Sequence, residues 1–63
     1  MPYRIKEFRE ELKMTQVELS RKANVSRAII SGLENGTISV TTTDTLSKIA
    51  KALDKKVSDI FFE

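Results

Sequence analysis

Arg27 stands among the small residues Ser26, Ala28, Ser31 and Gly32, and a guanidinium fork so placed recognises a polar partner rather than making bonds. There is no cysteine and no histidine, which removes disulfides, thiolate zinc sites, Cys or His nucleophile systems and an imidazole pH switch. The carboxylates never pair beside a candidate nucleophile, and 63 residues leave little space for a substrate pocket. No enzyme, no metal site, no cofactor and no small-molecule ligand is expected.

A chain of 63 residues buries only about 60% of the surface its unfolded form exposes, so residues 1–63 are expected to form one small domain. Apolar residues at 40% and charged residues at 32% describe a globular chain. No stretch approaches the roughly 18 apolar residues of a membrane helix, and the start, Met-Pro-Tyr-Arg-Ile-Lys, has no hydrophobic run, so a cytoplasmic location and no membrane partner are expected. The net charge of +2 permits a nucleic acid without demanding one. Seven basic and five acidic residues lie in Met1 to Glu34 against four of each in Asn35 to Glu63, so the basic excess is N-terminal.

The elements that must carry these groups are short helices. Ile5, Phe8 and Leu12 fall at i, i+3 and i+7 and predict an amphipathic first helix over Tyr3 to Lys13. Thr15 followed by Glu18 is a capping box that starts a second helix, Gln16 to Ala23. Asn24 tolerates the left-handed turn out of that helix, and Ser26 caps a third, Arg27 to Glu34, which Asn35-Gly36 stops. Residues Thr37 to Thr42 are expected as an extended loop. Thr43 then caps a fourth helix with the apolar face Leu46, Ile49, Ala50 and Leu53, and a last turn or two spans Ser58 to Phe62. The fold expected is an all-α bundle of five short helices.

Two helices joined by a 3–4-residue turn cross steeply and need a shared core, which Leu19, Ala23, Val25, Ile30 and Leu33 supply, with Ser20 as the small contact. Projected at 100° per residue, the third helix turns Ile30 and Leu33 inward and Ala28, Ser31, Gly32 and Asn35 outward, with Arg27 projecting from its first turn. Glycine costs about 1 kcal/mol relative to alanine inside a helix, so so small an outer face suggests close approach of another surface, nucleic acid or protein.

The string Thr-Gln-Val-Glu-Leu-Ser-Arg-Lys-Ala-Asn-Val-Ser-Arg-Ala-Ile-Ile-Ser-Gly-Leu-Glu-Asn-Gly, Thr15 to Gly36, resembles the phage-repressor type of helix-turn-helix, the Cro/CI or Xre-like family. Thr45 to Leu53 resembles that family's fourth helix. The resemblance implies a lambda-repressor-like DNA-binding domain with its helix-turn-helix at 16–35 and the third helix in the major groove. It implies DNA contacts from Gln16, Ser26, Arg27, Ala28, Ser31, Gly32, Asn35 and Thr37. Gln16 would touch phosphate and brace the recognition helix, Arg27 would offer its fork to guanine or phosphate, Ala28 or the flanking Ile29 would meet thymine methyls, and Asn35 and Thr37 would add phosphate contacts. Arg9 and Glu34 resemble a family pair that links the first helix to the end of the third. Two departures stand out: the loop Thr37-Ile38-Ser39-Val40-Thr41 carries no charge where relatives are often basic, and Ala28 and Gly32 replace hydrogen-bonding side chains.

The function expected is a sequence-specific double-stranded DNA-binding transcriptional regulator, a repressor acting as a homodimer on a pseudo-palindromic operator, with no sensor domain. Ile60 and Phe61 complete the core, which leaves Ile38, Val40 and Phe62 as surplus apolar side chains for a dimer interface. The rival is a protein-interaction module of antitoxin or anti-repressor type that keeps the bundle without binding DNA. The neutral loop and Gly32 favour the rival; Arg27, Gln16 and the small outer face favour DNA.

Overall fold

The computed structural model describes residues 3–38 and 41–60, and along them run five helices: α1 (Ile5–Glu11), α2 (Gln16–Ala23), α3 (Arg27–Asn35), α4 (Thr43–Ala52) and α5 (Val57–Ile60). Each turns an apolar stripe toward a common centre, where Ile5, Leu19, Ile30, Leu33, Ile49, Leu53 and Ile60 are essentially inaccessible to solvent. All five helices thus contribute to one core, which Leu53 joins from the C-cap position of α4. The Arg4 N–H donates to the Ile60 carbonyl at 2.8 Å and ties the start of α1 to α5. Phe8 closes one side of the core, with the Arg4 guanidinium and the Lys55 ammonium each 4.9 Å from its ring centroid.

α1 is shorter than its periodicity predicts. Lys13 adopts a left-handed φ of 55°, its N–H goes to the Glu10 carbonyl and the Met14 N–H to the Arg9 carbonyl, each at 3.0 Å. These are the paired bonds of a Schellman closure. Leu12, expected on the buried stripe, therefore lies at the helix stop and is 50% exposed.

α2 has the bounds that the capping box predicts. α3 runs one residue further than expected, through Asn35, and Gly36 alone takes the left-handed stop with φ 88°. The cap of α4 is Thr42 rather than Thr43: its hydroxyl accepts the Thr45 N–H at 3.1 Å, and Thr43 is already helical. Three adjacent threonines are locally equivalent, and the one in extended conformation at the turn becomes the cap. α4 ends in a second Schellman closure with Asp54 at φ 58°. The expected last helix is present as Val57–Ile60; Phe61 and Phe62 lie outside the described residues.

Candidate nucleic-acid interface

The unit formed by α2 and α3 rests on bonds between near neighbours. Thr15 Oγ1 accepts the Glu18 N–H at 3.0 Å and Glu18 Oε1 accepts the Thr15 N–H at 2.8 Å. The Thr15 N–H holds the Glu18 carboxyl below its ordinary pKa. Asn24 takes the left-handed conformation at φ 57° and ψ 43°, and its N–H and that of Val25 both go to the Ser20 carbonyl. Ser20 is half-buried and its hydroxyl donates to the Val17 carbonyl. Ser26 Oγ accepts the Ile29 N–H at 3.3 Å, which leaves its hydroxyl proton available at the start of α3. Buried Leu19 and Ala23 of α2 face Ile30 and Leu33 of α3 within the core, with Val25 and Ile29 packed partly against it.

Arg27, Ala28, Ser31, Gly32, Asn35 and Thr37 line one shallow concavity along the outward side of α3. Arg27 and Ala28 are exposed and Ser31 is half-buried. Arg27 has no carboxylate partner among the described residues. At the other end, Asn35 Oδ1 accepts both the Thr37 N–H at 3.0 Å and the Thr37 hydroxyl at 2.7 Å. The backbone donor fixes which way the Asn35 amide points. Thr37 thus spends its one hydroxyl proton inside the protein, and the donors left at this corner are the amide N–H groups of Asn35.

Glu34 would place a negative charge beside this surface were it not paired. Its side chain is 4% exposed and takes Arg9 Nε at 2.8 Å, Arg9 Nη2 at 3.0 Å and Gln16 Nε2 at 3.1 Å. The fork of Arg9 meets the carboxylate at two points, while Nη1 donates to the Met14 carbonyl at 2.7 Å. The hydrogen bonds that Arg9 donates to Glu34 raise the Arg9 pKa above its ordinary value, against an opposing effect of burial. One guanidinium so joins α1, the turn before α2 and the end of α3. Gln16, at the first position of α2, is held to α3 by one amide N–H and keeps the other for an external acceptor. Nothing in the sequence signals the Met14 carbonyl as a partner, because any backbone carbonyl is available and only the path of the chain selects one.

Two expectations need correction. Gly32 borders that concavity but is buried rather than open, and the surface that approaches it is Ile38 of the same chain. Ile38 in turn is not a surplus side chain, since it is partly buried and packed against the core. A helical projection gives the direction of a residue but not what the following loop lays over it. The other two dimer-interface candidates, Val40 and Phe62, lie outside the described residues. The signal for Ile38 was present, an apolar residue just beyond a glycine helix stop, where a hydrophobic contact back onto the last turn is common.

A helix-turn-helix family matches residues 5–60. An uncharacterised helix-turn-helix-type transcriptional regulator of Archaeoglobus fulgidus is 41% identical over 61 residues, covering 97% of this chain and 84% of the relative. The immunity repressor protein of Bacillus phage phi105 is 42% identical over 60 residues, 95% of this chain and 41% of the repressor, so this chain spans under half of that relative. Among solved structures, the biofilm master regulator SinR in complex with DNA superposes with a TM-score of 0.84 at 31% identity, covering 87% of each chain. A SinR chain in the SinR–SinI complex gives 0.85 at 30% identity, over 89% of this chain and 54% of that one.

Proposed function

This chain belongs to the helix-turn-helix family of the Cro/CI (Xre) type, and from that premise we propose that it is a DNA-binding transcriptional repressor whose α3 enters the major groove of an operator. The family is one of DNA-binding regulators rather than of enzymes. The observation that carries the reading is the donor pattern along α3. Arg27, without a carboxylate partner among the described residues, stands at one end beside the small side chains of Ala28 and Ser31, and the Asn35 amide stands at the other. Small side chains let the helix backbone come close to base edges, and a guanidinium fork matches guanine O6 and N7. Ser26, Gln16 and Asn35 supply donors for phosphate at the rim, and the pairing of Glu34 with Arg9 keeps a carboxylate from repelling that phosphate.

The repressor acts on this reading as a homodimer on a pseudo-palindromic site, its two α3 helices about 34 Å apart, blocking transcription by occupancy in the cytoplasm. No helix among the described residues is long and apolar enough to cross a membrane. The uncharged loop from Thr37 predicts modest phosphate affinity, with direct readout resting on few groups.

The test is a fluorescence-anisotropy titration on random-sequence duplex at low salt, followed by selection of bound sites from a random pool and sedimentation of protein with the selected duplex. Salt-sensitive binding, a selected site with twofold symmetry and two protomers per duplex are the expected results. Absence of any affinity at low salt would instead favour a protein-interaction module, a role in keeping with the SinI-bound state of one structural relative. Phe62→Glu tests the dimer: unchanged self-association and affinity would remove Phe62 from the interface.

A further inference from the structure

Glycine is a poor residue for a helix interior, so Gly32 within α3 implies a contact that alanine would forbid. That contact is Ile38. A methyl group on residue 32 would stand 2.5 Å from both Cδ1 and Cγ1 of Ile38 and 3.2 Å from its Cβ. The backbone joins the same two residues, since the Gly32 carbonyl accepts the N–H of Ile38 and that of Gly36, each at 3.0 Å. Between these anchors lies the corner on which Thr37 is bound twice to Asn35 Oδ1. The corner is therefore closed at both ends, by the left-handed Gly36 and by the Ile38 side chain lying on Gly32.

Resting on the DNA reading above, we propose that Ile38 is a positioning residue for DNA binding: seated on Gly32, it holds the corner so that the free amide N–H groups of Asn35 meet a phosphate. Ile38 itself touches no DNA. No lysine or arginine occurs from Thr37 to Ser47, so the segment after α3 brings no cation of its own to draw phosphate in. A neutral donor acts only at hydrogen-bond range and with a restricted angle, and its contribution depends on being held in place. Glycine at 32 and isoleucine at 38 are then a matched pair, the one kept small to seat the other.

The experiment titrates wild type, Ile38→Ala, Ile38→Val, Gly32→Ala, Asn35→Ala and the doubles Asn35→Ala/Ile38→Ala and Asn35→Ala/Gly32→Ala on selected and scrambled duplexes, at a temperature where circular dichroism shows the variants folded. Ile38→Ala, Gly32→Ala and Asn35→Ala should each weaken both duplexes by about three- to tenfold, the worth of one hydrogen bond. Ile38→Val, which keeps the branched contact, should stay within about twofold of wild type. Each double should be no weaker than Asn35→Ala alone, because both lesions act through the same amide. A purely structural role would lower melting temperatures while leaving the affinity of folded protein unchanged, or would make the losses multiply in the doubles; either result overturns the proposal. Should Ile38→Ala not fold, Gly32→Ala and its double carry the same comparison. Wild type that binds neither duplex overturns the DNA reading and this proposal with it, whereas wild type that binds beside an unaffected Ile38→Ala overturns this proposal alone.

Discussion

Arg9 and Glu34, 25 positions apart in the chain, meet in a two-point ion pair with 2.8 Å and 3.0 Å bonds at the edge of the core. The pair joins α1 to the end of α3 and is extended by Gln16 on the carboxylate and by the Met14 carbonyl on the guanidinium. Four groups, one each from α1, the turn after it, α2 and α3, thereby fix how α2 approaches α3. A pair so shielded from water orients more than it stabilises, because desolvation offsets much of its attraction.

Removing one partner should therefore cost more than removing both. Arg9→Ala leaves Glu34 with a charge in a site that is only 4% exposed, and Glu34→Ala leaves three donors without their acceptor. Each single variant should lose about 3 kcal/mol, a large part of the stability of a domain this small, and the double Arg9→Met/Glu34→Leu should lose less than either. Urea denaturation at low temperature gives the three values. Losses that simply add would show that the two side chains are not coupled.

Gln16 and Arg27 should separate positioning from reading. Gln16→Ala should weaken binding to every duplex by a similar factor, since phosphate contacts carry no base information, and should cost some stability by releasing Glu34 Oε1. Arg27→Ala should relax the preference at one position of each half-site by about 1–3 kcal/mol if its fork is bidentate on guanine. Ser31→Glu places charge and bulk in the concavity and should abolish binding with the helical circular dichroism intact. A folded Ser31→Glu protein with full affinity would mean that a different face of α3 meets DNA.

Lys13 and Asp54 occupy left-handed backbone at φ 55° and 58°, where a Cβ is unfavourable. Both are exposed and both stand at Schellman closures whose backbone bonds any residue can make. Lys13→Gly and Asp54→Gly should each raise the unfolding free energy by about 0.5–1 kcal/mol, and Asp54→Gly also removes a negative charge from the C-terminal end of α4. Asn24→Gly should be nearly neutral, because asparagine already tolerates that conformation. Chemical denaturation of the three variants checks the order.

The capping box predicts an acid-sensitive helix start. Glu18 is held below its ordinary pKa by the Thr15 N–H, so its contribution is fully present above the unfolded carboxylate pKa and is lost as pH falls through the depressed folded value. An NMR titration should find the Glu18 midpoint below that of an unstructured glutamate. In Glu18→Gln, which keeps an acceptor without a titrating charge, the melting temperature should depend less on pH across the same acid range. An ordinary Glu18 midpoint would show that the carboxylate does not hold the Thr15 N–H in solution.

Much of this architecture was legible in the residues because it is built from contacts across a few positions. Thr15 with Glu18, Asn24 at the turn, Ser26 at the head of α3 and the spacing Leu46, Ile49, Ala50, Leu53 each declare an element locally, through a cap, a tolerated φ or one helical face. The family, and with it the donor groups of α3, followed from the same string. Only the folded chain decided that Leu12 turns outward, that Thr42 rather than Thr43 caps α4, that Met14 offers its carbonyl to Arg9 and that Ile38 covers Gly32. These depend on where a helix stops and how the next segment is laid across it. A side chain's type and periodicity give its direction from its own axis, whereas the atom it meets belongs to another part of the chain, brought there by the packing of all five helices.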